Sequence, residues 1–193
     1  DIAAGMIRAV SQHFMDDPVR ALRAARQAAA FGFRVEEETI AYMRACAREL
    51  QAEPTERLMG ELRRALMTPR PSVFFRVLRT ADLLSVTFPE LAALDGQTQP
   101  VEFHPEGDAL AHTLAMVDAV AHETEEIKTR FAALVHDLGK GLTPREMLPH
   151  HYGHECTGLD ALAAWNRRMT LPHDWRKAAA FVIHEHMRAP RLT

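Results

Sequence analysis

The sequence predicts an all-α protein. Three observations point there. Apolar residues recur at intervals of three and four, helix ends are punctuated by Asp-Pro, Pro and Gly, and the alternating pattern of a half-buried strand is almost absent. The elements follow in order. Met6–Val10 is a short apolar piece that reads as a strand. Asp17 caps a helix whose first residue is Pro18, and Gly32 ends it. Val19, Leu22, Ala25, Ala29 and Phe33 give that helix its apolar stripe. A second helix runs from Glu36 to Leu50, with acids in its first turn, where they favour the helix dipole. Pro54 and Pro71 open helices over Thr55–Met67 and Ser72–Ala81. Leu83, Leu84, Val86, Phe88 and Leu91 form an apolar cluster, and residues 94–107 are a loop rich in turn formers. Asp108 caps a helix through His122. Glu125 to Leu138 is the next, broken at Gly139. After a loop with Gly141, Pro144, Pro149 and Gly153, helices over Glu155–Met169 and Pro172–Met187 complete the chain.

With 193 residues, 47% of them hydrophobic, the chain can bury one large core or two small ones. The net charge of −3 is unevenly spread. Residues 1–80 carry 13 arginines, no lysine and 10 acids; the remainder carries 10 basic residues and 16 acids. An all-Arg, slightly positive segment suits nucleic acid, because guanidinium grips phosphate and base edges with two parallel donors. Two cysteines make no disulfide framework, so a reducing, cytoplasmic setting is expected. Charge interrupts every apolar stretch before a membrane span is reached. The chain lacks an initiator methionine and stops just past a helical pattern, so both ends read as cut from something longer.

Ten of the 11 histidines lie after position 100. Among them, Val135-His136-Asp137-Leu138-Gly139-Lys140 sets an imidazole beside a carboxylate at the end of an apolar helical run. His112, His136 with Asp137, and His186, from three helices, are the candidate ligands of a divalent metal that activates water for phosphate-ester hydrolysis. Adjacent helical residues point about 100° apart. His136 and Asp137 can therefore serve one site only if the helix end is aimed into a cleft. Lys140 would neutralise a substrate phosphate. The loop His150–Glu155 would cover the cleft, and His154 would bind or protonate a leaving oxygen. His184 lies two residues from His186 and faces another side of the helix, so His186 is preferred. His13, His104, His122 and His173 read as surface or loop residues.

These stretches resemble a known family. His112-Thr-Leu, Val135 to Pro144 and His151-Tyr-Gly-His154 are similar to the HD phosphohydrolase domain of bacterial multifunctional CCA proteins, the class II tRNA nucleotidyltransferases. Ser11 to Phe33 resembles that family's neck helix. Glu56-Arg57-Leu-Met-Gly-Glu61-Leu, Pro71–Arg79, Phe88-Pro-Glu-Leu91 and His104-Pro-Glu-Gly-Asp108 continue the match over essentially the whole chain. The resemblance implies the end of a nucleotidyltransferase head at 1–12, a neck and body at 13–98, and an HD domain at 99–193. It implies that Asp17 and Arg20 of Asp16-Asp17-Pro18-Val19-Arg20 bind the base of CTP or ATP, and that Arg23 also contacts nucleotide. A carboxylate accepting from an exocyclic amine and a guanidinium donating to ring acceptors fit both cytosine and adenine. Arg57 and Glu61, one turn apart, are expected to form an ion pair that supports the neck.

The family adds C, C and A to tRNA 3′ ends with Mg2+. Its HD domain hydrolyses 2′,3′-cyclic phosphates, 2′-nucleotides and other phosphate esters with Ni2+ or Mg2+. The implied partners are tRNA, CTP, ATP and phosphate esters, in a monomer or homodimer away from membranes. The polymerase carboxylates are absent from this sequence, and no Asp follows His186 to complete a metal sphere. The 193-residue chain is therefore expected not to polymerise nucleotides. A stand-alone HD nucleotide phosphohydrolase and a non-catalytic RNA-binding module remain the competing readings.

Overall fold

Helix α1, Val19–Phe31, is the first long element of the computed structural model, which describes residues 1–102 and 104–188. Its start is local chemistry. The Asp17 carboxylate accepts from the Val19 amide at 3.2 Å, and Pro18 already has helical φ of −61°. Its end is Gly32, at φ 67°, a left-handed conformation that costs glycine nothing. The buried face holds Val19, Leu22, Ala25 and Ala29, with Ala21, Ala24 and Ala28. These small side chains let α4 (Thr55–Leu66) and α5 (Ser72–Thr80) approach closely.

The strand expected over Met6–Val10 is shorter. β1, Met6–Ile7, pairs in parallel with β2, Arg34–Val35. The pairing stops because the next amide, at Ala9, donates to Thr39 Oγ1 instead (2.8 Å). The helix expected from Glu36 to Leu50 is two, α2 (Glu37–Ala45) and α3 (Ala47–Gln51). They part at buried Cys46, whose ψ of 0° leaves the helical range. The apolar cluster after α5 folds into α6 (Leu84–Thr87) and α7 (Pro89–Ala92). Phe74, Phe75 and Phe88 meet with ring centroids 5.1–6.2 Å apart and, with Leu22, Leu62, Leu66 and Leu78, make the first core.

Glu61 on α4 is the one charged residue buried in this unit among the described residues, with a side chain only 2% exposed. It accepts from Arg26 Nε and Arg64 Nη2, each at 2.8 Å, and lies 3.5 Å from Arg23. The expected Arg57–Glu61 pair is not formed. Helical side chains lean toward the N-terminus, so Arg57 reaches back to Glu53 (2.5 Å) and Asp17 (2.8 Å). Burial pushes the Glu61 carboxyl up, but the bonds from Arg64 and Arg26 outweigh it and hold the group below its ordinary value. A depressed folded pKa stabilises above the ordinary value and loses that contribution as pH falls through the folded one. We expect Glu61→Gln to cost about 1–3 kcal/mol at pH 7. In urea melts, the gap between parent and variant should narrow as the pH is taken down through the carboxylate range.

The chain divides into two compact units, Asp1–Pro89 and Glu90 onward. Residues 90–98, assigned from sequence to the first half, belong to the second unit through contacts absent from any local pattern. Glu90 receives Arg168 at 2.6 Å, the Gly96 amide donates to Asp108, and Thr98 bridges Asp108. In this unit Asp108 caps α8 (Ala109–Glu123) by accepting from the Ala111 amide at 2.9 Å. Then come α9 (Ile127–Val135), a 3-10 turn over Leu138–Leu142, α10 (His154–Met169) and α11 (His173–Glu185). Phe131 packs against Trp165 (5.7 Å, edge-on) and Trp175 (5.0 Å) at the centre of the second core. No helix among the described residues is long and apolar enough to cross a membrane.

A candidate metal centre

The α-helix α9 stops at Val135, one residue before the His-Asp pair. His136 keeps helical angles, but Asp137 turns to φ −107°, ψ 11° and opens the 3-10 turn. That change of path lets two sequence neighbours serve one cleft. Both line a cavity of about 480 Å3, with His104, His112, Lys140, His150, His151, Tyr152, His154 and His186 also on its walls.

Asp137 is the hub, its side chain only 1% exposed. One carboxylate oxygen, Oδ2, lies 3.2 Å from His136 Nε2, 3.9 Å from His112 Nε2 and 2.7 Å from the Lys140 ammonium. The other, Oδ1, lies 3.4 Å from His154 Nε2 and 3.5 Å from His186 Nε2. Neither oxygen has a donor in hydrogen-bonding geometry.

The imidazole tautomers follow from what lies behind each ring. Nδ1 of His136 faces the Ala133 carbonyl at 2.8 Å, that of His154 the His151 carbonyl at 2.7 Å, and that of His186 the Ile183 carbonyl at 2.9 Å. A carbonyl only accepts, so each Nδ1 carries a proton, and in the neutral form of such a ring the lone pair falls on Nε2. Those lone pairs point at a carboxylate, which is also a lone-pair donor. The cluster therefore calls for positive charge at its centre: extra protons, or a metal ion. Burial pushes the Asp137 carboxyl up, but the surrounding imidazoles of His136, His154 and His186, each of which favours the ionised carboxylate whenever its Nε2 holds a proton, outweigh this and carry it well below its ordinary value. Burial pulls His112 the other way, toward the neutral form. Neutral imidazoles with Nδ1 anchored to carbonyls are what metal-bound histidines use. The residues fit a divalent metal.

The structure thus brings together His112, His136, Asp137, Lys140, His154 and His186. His184 instead pairs with Glu185 at the surface (2.6 Å), and His186 lines the cavity. His104, read from sequence as a loop residue, is in the cavity. Its ring centroid is 4.6 Å from that of His112, and its Nδ1 is buried without a partner. Glu106 and His112 lie beside it, their ligand atoms within 4.8 Å of one another. Gln99 and His151 were not singled out as site residues either. Gln99 Oε1 accepts from Lys140 at 2.5 Å. His151 donates from Nε2 to the Thr98 carbonyl (3.0 Å) and accepts at Nδ1 from Thr143 (2.8 Å). The local signal for His104 and Glu106 was their place just before the Asp108 cap. Gln99 and His151 carried none, because their partners lie far along the chain.

In the first unit, Asp17 and Arg20 stand at the start of α1 and Arg23 one turn on. Asp17 is engaged by Arg57 (2.8 Å) and Arg23 (3.6 Å). Burial pushes its carboxyl up, and the bonds from Arg57 and the Val19 amide, with the charges of Arg57 and Arg23, together more than reverse this. Arg20 donates to the His13 carbonyl. Asp16 pairs with His13 at the surface (3.0 Å).

Two family models match the chain. One, described as a probable RNA- and SrmB-binding site of polymerase A, covers residues 32–94; the other, the HD domain, covers 109–193. The chain is 44% identical over 191 residues to the multifunctional CCA proteins of Pseudomonas fluorescens and Thioalkalivibrio sulfidiphilus, a match that takes in 96% of its length. It belongs to the multifunctional CCA protein family. The chain spans 47% of those two relatives. Among solved structures, a tRNA-processing enzyme in its apo form matches 99% of the chain and 46% of its own, at 19% identity and a TM-score of 0.58. A tRNA nucleotidyltransferase complexed with a primer tRNA and an incoming ATP analog matches 100% and 49%, at 19% identity and a TM-score of 0.56. At that identity they share the fold of this multifunctional CCA family member.

Proposed function

We propose that the second unit is a metal-dependent phosphohydrolase acting on 2′,3′-cyclic phosphates, 2′-nucleotides and related esters, within a protein that adds CCA to tRNA from CTP and ATP. One observation carries the hydrolase reading: a buried aspartate ringed by imidazoles whose Nε2 lone pairs face it. His112, His136, Asp137 and His186 would hold a divalent metal, which supplies a bound water of lowered pKa and a positive charge for the phosphoryl oxygens. An imidazole-rich donor set favours Ni2+ over Mg2+. Lys140 neutralises Asp137, and its contacts with Asp137 and Gln99 leave a third N–H for a phosphate oxygen. His154, whose Nε2 lies 3.4 Å from Asp137 on the cavity wall, would bind or protonate a leaving oxygen. In the first unit, Asp17, Arg20 and Arg23 would read the base of CTP or ATP. Mg2+ would serve nucleotidyl transfer in the whole protein, tRNA would be its macromolecular partner, and the cytoplasm its compartment. Oligomeric state, monomer or homodimer, does not enter this reading.

The test is turnover of a chromogenic phosphate monoester and a nucleoside 2′,3′-cyclic phosphate. Chelation should abolish it, and Ni2+ should restore it. His136→Ala should be inactive with either substrate. Failure of the folded parent to hydrolyse both esters with Ni2+, Mg2+ and Mn2+ supplied in turn would reject the hydrolase reading. Equilibrium binding of CTP to Arg20→Ala and Arg23→Ala should weaken while ester hydrolysis holds.

A further inference from the structure

We infer that Tyr152, backed by His150, is a nucleobase-stacking platform at the mouth of this cavity and selects nucleoside phosphates over phosphate esters that carry no base. The cavity has two ends of different chemistry. At the inner end stand His136, Asp137, Lys140 and His154, all buried. At the outer end the walls are Pro149, His150, Tyr152 and Met187, all exposed, Tyr152 to 77%. Handling a phosphoryl group needs only the inner end. The outer end is aromatic and apolar, and the cavity's volume of about 480 Å3 falls within the roughly 300–1,000 Å3 of small-molecule sites.

The platform is anchored. His151, between the two rings, is held at three points. Its Nε2 donates to the Thr98 carbonyl (3.0 Å), its Nδ1 accepts from Thr143 Oγ1 (2.8 Å), and its own carbonyl accepts from His154 Nδ1 (2.7 Å). With the middle residue fixed, the rings of His150 and Tyr152 lie against each other, centroids 5.5 Å apart and planes 20° from parallel. His150 thus covers one face of the phenol ring. The residue is still 77% exposed, so the other face is open to whatever enters the mouth. An aromatic ring left in water on an anchored loop adds nothing to either core. It does suit a base, because every base has a π-face and gains from stacking on a ring without any hydrogen-bond readout. An ammonium at one end and an open aromatic face at the other describe one ligand, a nucleoside phosphate that enters phosphate first.

This inference rests on the hydrolase reading, and the choice of substrates separates the two. Adenosine 2′,3′-cyclic phosphate is compared with glycerol 1,2-cyclic phosphate, the same cyclic diester without a base, with Ni2+ supplied. The parent should show the lower KM for the nucleotide. Tyr152→Ala should raise that KM about tenfold with kcat within about twofold, and leave the glycerol ester unchanged. Tyr152→Phe, which keeps the ring, should match the parent. The side chain is too exposed for its loss to unfold the chain, which circular dichroism checks. A nucleotide KM unmoved in Tyr152→Ala, an equal rise for both esters, or a phenylalanine variant as impaired as the alanine one would overturn the platform and leave the hydrolase reading standing. Parent protein that turns over neither ester would reject the hydrolase reading. Equilibrium dialysis with adenosine 2′-phosphate then decides the platform: weaker binding by Tyr152→Ala keeps it, and equal binding ends it.

Discussion

Asp137→Asn should lower phosphate-ester hydrolysis by about 10^3-fold or more, which is about 4 kcal/mol of barrier. The carboxylate is where the imidazoles of His112, His136, His154 and His186 converge, so the amide would remove the negative charge from the middle of that cluster. The same change has a second consequence. Lys140 is only 6% exposed and its ammonium lies 2.7 Å from Asp137 Oδ2. With the charge gone, Gln99 alone remains to it, and a buried cation stripped of its partner costs about 3 kcal/mol. The variant should therefore melt lower than the parent in chelator as well as losing turnover. The two effects separate in a double variant. Asp137→Asn with Lys140→Met should recover most of the melting temperature and none of the hydrolysis. Turnover by Asp137→Asn within tenfold of the parent would remove Asp137 from the chemistry.

What could be read from the sequence depended on the range over which each contact is decided. The Asp17 cap and the Gly32 stop of α1 are settled within a few residues, and both are found where expected. The break at Cys46 was invisible because nothing in the local pattern forbids a helix there. It is set by burial of Cys46 and the change of direction between α2 and α3. Arg57 and Glu61 had a favourable spacing, yet Glu61 is met by Arg26 of α1 and Arg64 further along α4, and Arg57 by Glu53 and Asp17, which precede α4 and α1. Spacing on one helix says which residues share a face, not which acid or base lies across from that face. The His136-Asp137 pair was legible because the helix end beside it leaves a local mark, the Gly-Lys tail. Gln99 and His151 were not, since their bonds join residues 41 and 53 positions apart.

Gly139→Ala is expected to be the most damaging single-methyl change in the second unit. The 3-10 turn over Leu138–Leu142 lies directly on the first turns of α10. A Cβ at residue 139 would run into the His154 carbonyl oxygen and come within 2.6 Å of the Gly158 amide nitrogen and 2.7 Å of Thr157 Oγ1. Two of these three atoms are main chain, so no rotamer change relieves the clash, and the turn must lift away from the helix. Overpacking of this kind costs about 3 kcal/mol or more. In a unit of this size that is a fall of more than about 10 °C in Tm. Gly158→Ala is the comparison. Its Cβ would meet the Cγ2 methyl branch of buried Ile183 at 2.8 Å and Gly139 main chain no closer than 3.4 Å, so it crowds one methyl group rather than main chain and the cost is smaller, about 1–2 kcal/mol. The contrast bears on function because the same contact carries Lys140 on one side and His154 on the other. Lifting the turn moves an ammonium and an imidazole apart around one carboxylate, so Gly139→Ala should lose nickel affinity at temperatures where it is still folded. Equal melting temperatures for the two alanine variants would mean that the glycine at 139 is not what lets turn and helix meet.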